Sequence, residues 1–262
     1  MLRYLRIFRA FALTEFQFEM EYRGNLYLSI LEMFLVIGTS IGAVLIMFGH
    51  TTTINGWTLP QMIVLLGVYY VIQGGVSLVF SPSFERLMEH VRVGTLDFHL
   101  LKPINVQFLV STRHLKVVRA ADLVLGLGVV IVGLFQVGEE IGVGQALLFS
   151  ASIFFGWMLV YSLILSLVTL AFWFVRVENL LAIFWAFTEA GRFPVDVYPL
   201  WLRVSLSTIV PIGIAVTAPA NVIAGRMDWI GVVLLGAGTV LAVGVASALW
   251  RWGLRSYTGA SA

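Results

Sequence analysis

The sequence predicts an all-α integral membrane protein with six transmembrane helices. An N-terminal interfacial helix over 1–24 precedes them, and an outer segment over 190–228 dips into the membrane between spans five and six, all in one transmembrane domain over 1–262. Three observations predict this. The chain is 60% hydrophobic and 11% charged, whereas soluble domains are about a quarter charged and keep a charged skin over their core. Its apolar stretches come as charge-poor runs of span length, about 20 residues each. They show no alternation of polar and apolar residues, which excludes a transmembrane barrel.

Each element follows from these runs. Residues 1–22 mix Arg3, Arg6 and Arg9 with Leu2, Leu5, Ile7, Phe8 and Phe11. They have no apolar region of signal-peptide type. Arg3, Arg6, Thr14, Gln17 and Glu21 share one arc of a helical wheel, the pattern of a helix lying on the inner surface of a bilayer. The first span is 26–48, with Glu32 as its one charge, and the second is 61–80. The third ends near Gly138, the fourth lies in the charge-free stretch 141–175, the fifth is 179–189 and the last is 229–250. Residues 204–225 are apolar but contain Pro211 and Pro219, and Gly191, Pro194 and Pro199 break the chain just before them. A mid-run proline removes a backbone donor, so this stretch is expected to dip rather than cross, with protein or water covering its irregular backbone.

Lysine and arginine set the orientation. With six spans, 13 of the 16 fall on the N-terminal side, which places both termini in the cytoplasm. The expected location is a bacterial inner membrane, with membrane lipid as the surrounding partner.

The composition also excludes chemistry. There is no cysteine, and the net charge is only +2. Disulfides, thiol nucleophiles and cysteine-bound metals are therefore out, and no nucleic-acid partner is implied. His50, His90, His99 and His114 have no zinc-binding spacing. No nucleophile elbow and no phosphate-binding loop occur. This chain is not expected to be an enzyme, to hold a metal or to bind a cofactor, so nucleotide energy has to come from another polypeptide.

The long inner loop, 81–118, carries the clearest pattern. Ser83 is placed as the N-cap of a helix over 84–93, with Glu85, Arg86, Glu89 and Arg92 on its polar side and Phe84, Leu87, Met88 and Val91 on its apolar side. Gly94 and Thr95 end it, and Leu96, Asp97, Phe98, His99, Leu100, Leu101, Lys102, Pro103, Ile104 and Asn105 follow. A helix of this kind is either a surface a partner pushes on or a plain connector.

This stretch, from Phe84 through Gly94-Thr95-Leu96-Asp97 to Lys102-Pro103-Ile104-Asn105, resembles the loop between the second and third spans of type-2 ABC exporter permeases. It is most similar to a small six-span bacterial branch. The resemblance implies a permease that pairs with a second permease, as a homodimer or heterodimer. It also implies one ATP-binding subunit per permease, with ATP and magnesium held there. The loop would dock in that subunit through Glu85, Arg86, Leu87, Glu89, Val91, Arg92, Gly94, Thr95 and Asp97, with Leu87 and Val91 filling its cleft. A membrane scaffold, or the substrate-binding membrane subunit of an energy-coupled importer, are the alternatives.

Four residues are candidates for a transport pathway. Glu32 shares a helical arc with Asn25, Ser29, Thr39 and Ser40. An ionisable residue at that depth faces water or a partner; the bland alternative pairs it with Arg23, Arg119 or Arg176. Thr39 lies on the same arc. Gln73 forms a polar patch with Tyr69 and Tyr70, and Glu189 stands with Arg192 beside the outer break as either a gate or a structural pair. Opposite Glu32, Gly38 and Gly42 form a G-x-x-x-G suited to close helix approach.

Overall fold

The computed structural model describes residues 2–21, 23–138, 141–174 and 177–257. Among the described residues the chain is helical except for one two-residue-strand hairpin. Helix α1 (Leu2–Glu21) leads into α2 (Arg23–Phe48), and the hairpin β1 (Thr53–Ile54) and β2 (Trp57–Thr58) turns at Asn55-Gly56. Then come α3 (Leu59–Val79), α4 (Ser81–Val93), α5 (Asp97–Leu100), α6 (Val106–Thr112), α7 (Ala120–Val137) and α8 (Val143–Thr169). The chain closes with α9 (Glu178–Glu189), α10 (Leu200–Val204), α11 (Ile212–Ile223) and α12 (Trp229–Ser256).

Among the described residues, five helical segments are long and apolar enough to cross a membrane: those of α2, α3, α7, α8 and α12. The central one is α3, whose apolar window is 78% buried, against 17% for α2. Residues 62–72 of α3 are buried without a break, as befits a helix wrapped on all sides. Its tightest neighbour is α7. A Cβ on Gly67 would lie 2.6 Å from the Val130 nitrogen, and one on Gly126 would lie 2.8 Å from the Val71 nitrogen. Only glycine lets the two backbones meet this closely. Helix α8 packs on the other side of the bundle, against α11 and α12.

The expected fifth span takes a different form. Helix α9 has 12 residues, about 18 Å at 1.5 Å per residue, well short of a bilayer core of about 30 Å. It ends beside Tyr69, halfway along α3, where the Tyr69 hydroxyl donates to Glu189 (3.3 Å). Tight turns at Ala190–Arg192 and Val195–Val197 carry the chain onward. The helix has almost the bounds of the apolar run 179–189, but at that length it is not a full span.

The proline-broken stretch returns to the end it left. The segments Leu200–Ile209 and Ile212–Ile223 are bent by 94°, with a π-helical turn at Ser205–Ile209 before Pro211. The Asn55 side-chain amide donates to the Asp196 carbonyl (2.8 Å), and Arg226 donates to the Gly56 carbonyl (2.6 Å). Both ends of the stretch are thus tied to the same hairpin. Between them α11 starts deep, where a Cβ on Gly191 would touch both Ile212 and Tyr69, and rises to Val222, whose carbonyl accepts from Gln145.

Other expectations need correction. Ser83 is no N-cap: α4 begins at Ser81, with Pro82 in its first turn, and Ser83 is buried inside the helix. The Gly38–Gly42 pair meets nothing within 4 Å inside the protomer. Arg176 and the Glu178 side chain lie outside the described residues, as does Glu140 in the outer loop.

Candidate functional site

A cavity of about 460 Å³ lies between α2, α3, α4, α7 and α9. It runs from the 81–118 loop to the middle of α3, bounded there by Tyr69, Glu189 and Arg192. Glu32, Gln73 and Glu189 all line it, and Glu85 of the loop helix lines its near end. Thr39 is not among the lining residues; it is exposed, and its hydroxyl is spent on the Val36 carbonyl (2.9 Å).

Charge inside the cavity is partly cancelled. Arg192 pairs with Glu189 at 2.5 Å, and its guanidinium lies over the Tyr69 ring at 5.6 Å. Arg119 pairs with Asp122 at 3.3 Å. That contact answers one question about Glu32: Arg119 has another carboxylate, and among the described residues Glu32 forms no ion pair. Tyr70 is fixed by its hydroxyl, which shares a 2.7 Å hydrogen bond with Ser40 and donates to the Val36 carbonyl. Tyr69 and Tyr70 meet edge to face at 5.2 Å. Asp122, Lys116, Trp185 and Thr188 also line the cavity, and sequence reasoning did not select them. The Arg119–Asp122 spacing of three was readable as a helical pair, but the other residues look like any loop or lipid-facing positions.

A second groove of about 560 Å³ opens between α1 and α2, lined by Phe18, Glu19, Asn25, Leu26, Ser29 and Val118. It shares Lys116 and Arg119 with the cavity, so those two side chains stand between the two spaces. Glu19 is held there as acceptor of the Val118 amide (2.6 Å). Burial pushes its carboxyl above the usual range despite that bond.

The loop helix α4 turns its apolar side inward. Phe84, Leu87 and Met88 are buried in the chain's own core, with Leu87 only 2% exposed. Leu87 is therefore not available to fill a partner's cleft, and Val91 is half-buried against the same core. The outward face carries Glu85, Arg86, Glu89 and Arg92. Gly94 ends the helix in the left-handed conformation (φ 75°), as the sequence implied. Thr95 bonds the His90 ring at 2.8 Å, and Asp97 opens α5. Beside them Val93, Phe98 and Leu101 stand 57%, 69% and 82% exposed.

The loop is strapped to α1. Arg3 donates to the Pro103 carbonyl, Tyr4 meets Phe108 at 4.8 Å, Arg113 covers the Phe11 ring at 4.5 Å, and Glu15 pairs with His114 at 3.2 Å. His90 and His99 pack ring on ring at 4.5 Å. Burial, with His90 and Lys102 adding positive charge, pulls His99 down to about 4. Among the described residues no three His, Cys, Asp or Glu side chains cluster as metal ligands would.

Apolar helices around a polar chamber, with an amphipathic helix at one end, define a multi-pass membrane protein. Residues 34–261 match the family model of the ABC-2 family transporter proteins, and the chain belongs to that family. It is thus the transmembrane permease component of an ABC transporter, a class that associates with an ATP-binding subunit. No curated protein and no solved structure matches the chain.

Proposed function

We propose that the chain is one permease of an ATP-driven exporter in a bacterial inner membrane, paired with a second permease. Its 81–118 loop takes the ATP-binding subunit on the cytoplasmic side. In this reading α9 and the turns after it make the remaining crossing, and both termini face the cytoplasm. ATP and magnesium stay on the partner.

The observation that carries the reading is the outward face of α4. A helix whose apolar side is already used in its own core presents four charged residues, with exposed Phe98 and Leu101 beside it. Charge sets orientation and the apolar pair supplies buried area, the usual division of labour at an interface. Gly94, Thr95 and Asp97 shape the turn that presents them. Pairing with a second permease is supported by α2, whose apolar window is 17% buried and whose Leu31, Leu35 and Ile46 are 55%, 60% and 77% exposed on the side of the open Gly38–Gly42 pair.

The test is a pull-down of the tagged chain from its own membranes. Phe98→Asp with Leu101→Asp, and separately Arg86→Glu, should release the ATP-binding subunit while the permease still inserts. Full retention of that subunit by the double variant would show that the loop end is not its seat.

A further inference from the structure

We propose that the cavity binds a lipophilic organic cation, held by Glu32 among the rings of Tyr69, Tyr70 and Trp185 and admitted through the groove between α1 and α2. This names a substrate class for the permease proposed above and rests on that reading.

The argument begins with charge. Of the seven charged residues lining the cavity, Arg119 and Asp122 cancel, as do Arg192 and Glu189. Glu32, Glu85 and Lys116 remain, an excess of one negative charge. Glu85 and Lys116 are exposed at the loop end, where water and salt screen them. Glu32 lies nine residues beyond Arg23 on α2, about 14 Å along the helix at 1.5 Å per residue. Glu32 is open to the cavity and, among the described residues, forms no ion pair; a carboxylate at that depth is costly, and a cation in the cavity supplies a counter-charge.

The walls suit that cation. Arg192 already covers the Tyr69 face and both tyrosines are buried, so they close the end of the cavity, while the half-buried ring of Trp185 is left open to a cation. The hydroxyls of both tyrosines are engaged on Glu189, Ser40 and Val36, which fixes their rings. Trp185 adds a third aromatic wall. Carboxylate with aromatic faces is the recognition chemistry of organic ammonium and related ions. A volume of about 460 Å³ lies within the range of small-molecule pockets.

The access route calls for a molecule with an apolar body. Phe18, Leu26 and Val118 line the groove, and Leu13 and Phe16 extend the apolar surface of α1. Where the two spaces meet, Asp122 cancels Arg119 and Glu19 balances Lys116, so a cation meets no net positive charge.

The experiment uses the chain purified through a tag with the subunits that accompany it, in nanodiscs. Tetraphenylphosphonium is titrated against tetraphenylborate, an ion of the same shape and opposite charge. The dipole potential of a bare bilayer favours the anion, so preference for the cation belongs to the protein. The expected result is saturable binding of the phosphonium at least about tenfold tighter than the borate. Glu32→Gln should weaken it about tenfold, while Glu32→Asp keeps the preference. Equal affinity for the two ions, no saturable phosphonium site, or a Glu32→Gln variant that binds like the parent would overturn the inference. ATP hydrolysis is read in the same sample. A failed binding arm beside intact hydrolysis therefore sinks the cation site alone, whereas absence of the ATP-binding subunit counts against the permease reading.

Discussion

Ser83 and His114 hold each other by two hydrogen bonds: the Ser83 hydroxyl donates to the His114 carbonyl (2.8 Å) and accepts from its amide (2.9 Å). The His114 ring meets Glu15 of α1. One loop residue therefore joins the loop helix α4 to the helix that leads the chain.

Replacing Ser83 by alanine leaves both main-chain groups of His114 without that partner. The expected cost is about 1–3 kcal/mol, felt where the two halves of the loop meet. Limited proteolysis should cut between 94 and 116 faster in Ser83→Ala than in the parent. Unchanged cleavage would mean that the other contacts along α1 suffice.

Burial separates two leucines that look alike in sequence. Leu87→Ala should lower stability by about 2–5 kcal/mol, as for a core leucine, because Leu87 is enclosed by its own chain. Leu101→Ala should change stability by no more than about 0.5 kcal/mol. Thermal unfolding in detergent reads both, and equal losses would contradict the placement of α4.

The glycines divide in the same way. Gly126→Ala pushes a methyl group into the backbone of α3, so folded yield should collapse. Gly38→Ala meets nothing in the protomer and should leave monomer stability alone. A Gly38→Cys variant, in a chain with no native cysteine, should form a disulfide with a partner bearing the same change if two copies pair through α2.

His99 should titrate near 4. An unfolded imidazole takes its proton near 6.5, so between about 6.5 and 4 the open loop binds a proton that the closed one refuses. The closed turn is therefore at full strength above that window and loses stability as pH falls through it. A ¹⁵N imidazole titration reads the midpoint, and a value near 6.5 would show that the His90–His99 stack is open in solution.

Cysteine labelling checks the sidedness. Gly142→Cys, at the exposed start of α8, should react with an impermeant reagent in intact cells, and Leu101→Cys only after permeabilisation. The reverse pattern would invert the orientation.

Much of this architecture was legible because apolar length and charge act locally. The runs at α2, α3, α7, α8 and α12 stand out by composition alone, and Gly94 marks its own turn. Hidden were the features set by neighbours far along the chain. Glu32, Gln73 and Glu189 were each selectable by depth or polarity. That they share one cavity with Asp122 and Lys116 depends on how α2, α7 and α9 lean on α3. Leu87 misled for the same reason: an amphipathic helix shows that one face is buried, not which molecule buries it. The bounds of α9 were legible, since 179–189 was marked and the helix is Glu178–Glu189; what misled was counting so short a run as a full span.

The hairpin at 53–58 has a consequence for how the chain is made. It leaves the ribosome early, yet the two bonds that complete it come from residues 141 and 170 positions later. Asp196 supplies the first of these bonds, and until Arg226 has been synthesised the apolar stretch between them is held to the hairpin at one end only. The hairpin is therefore complete only after most of the chain has been made, although its own six residues are among the first quarter to appear.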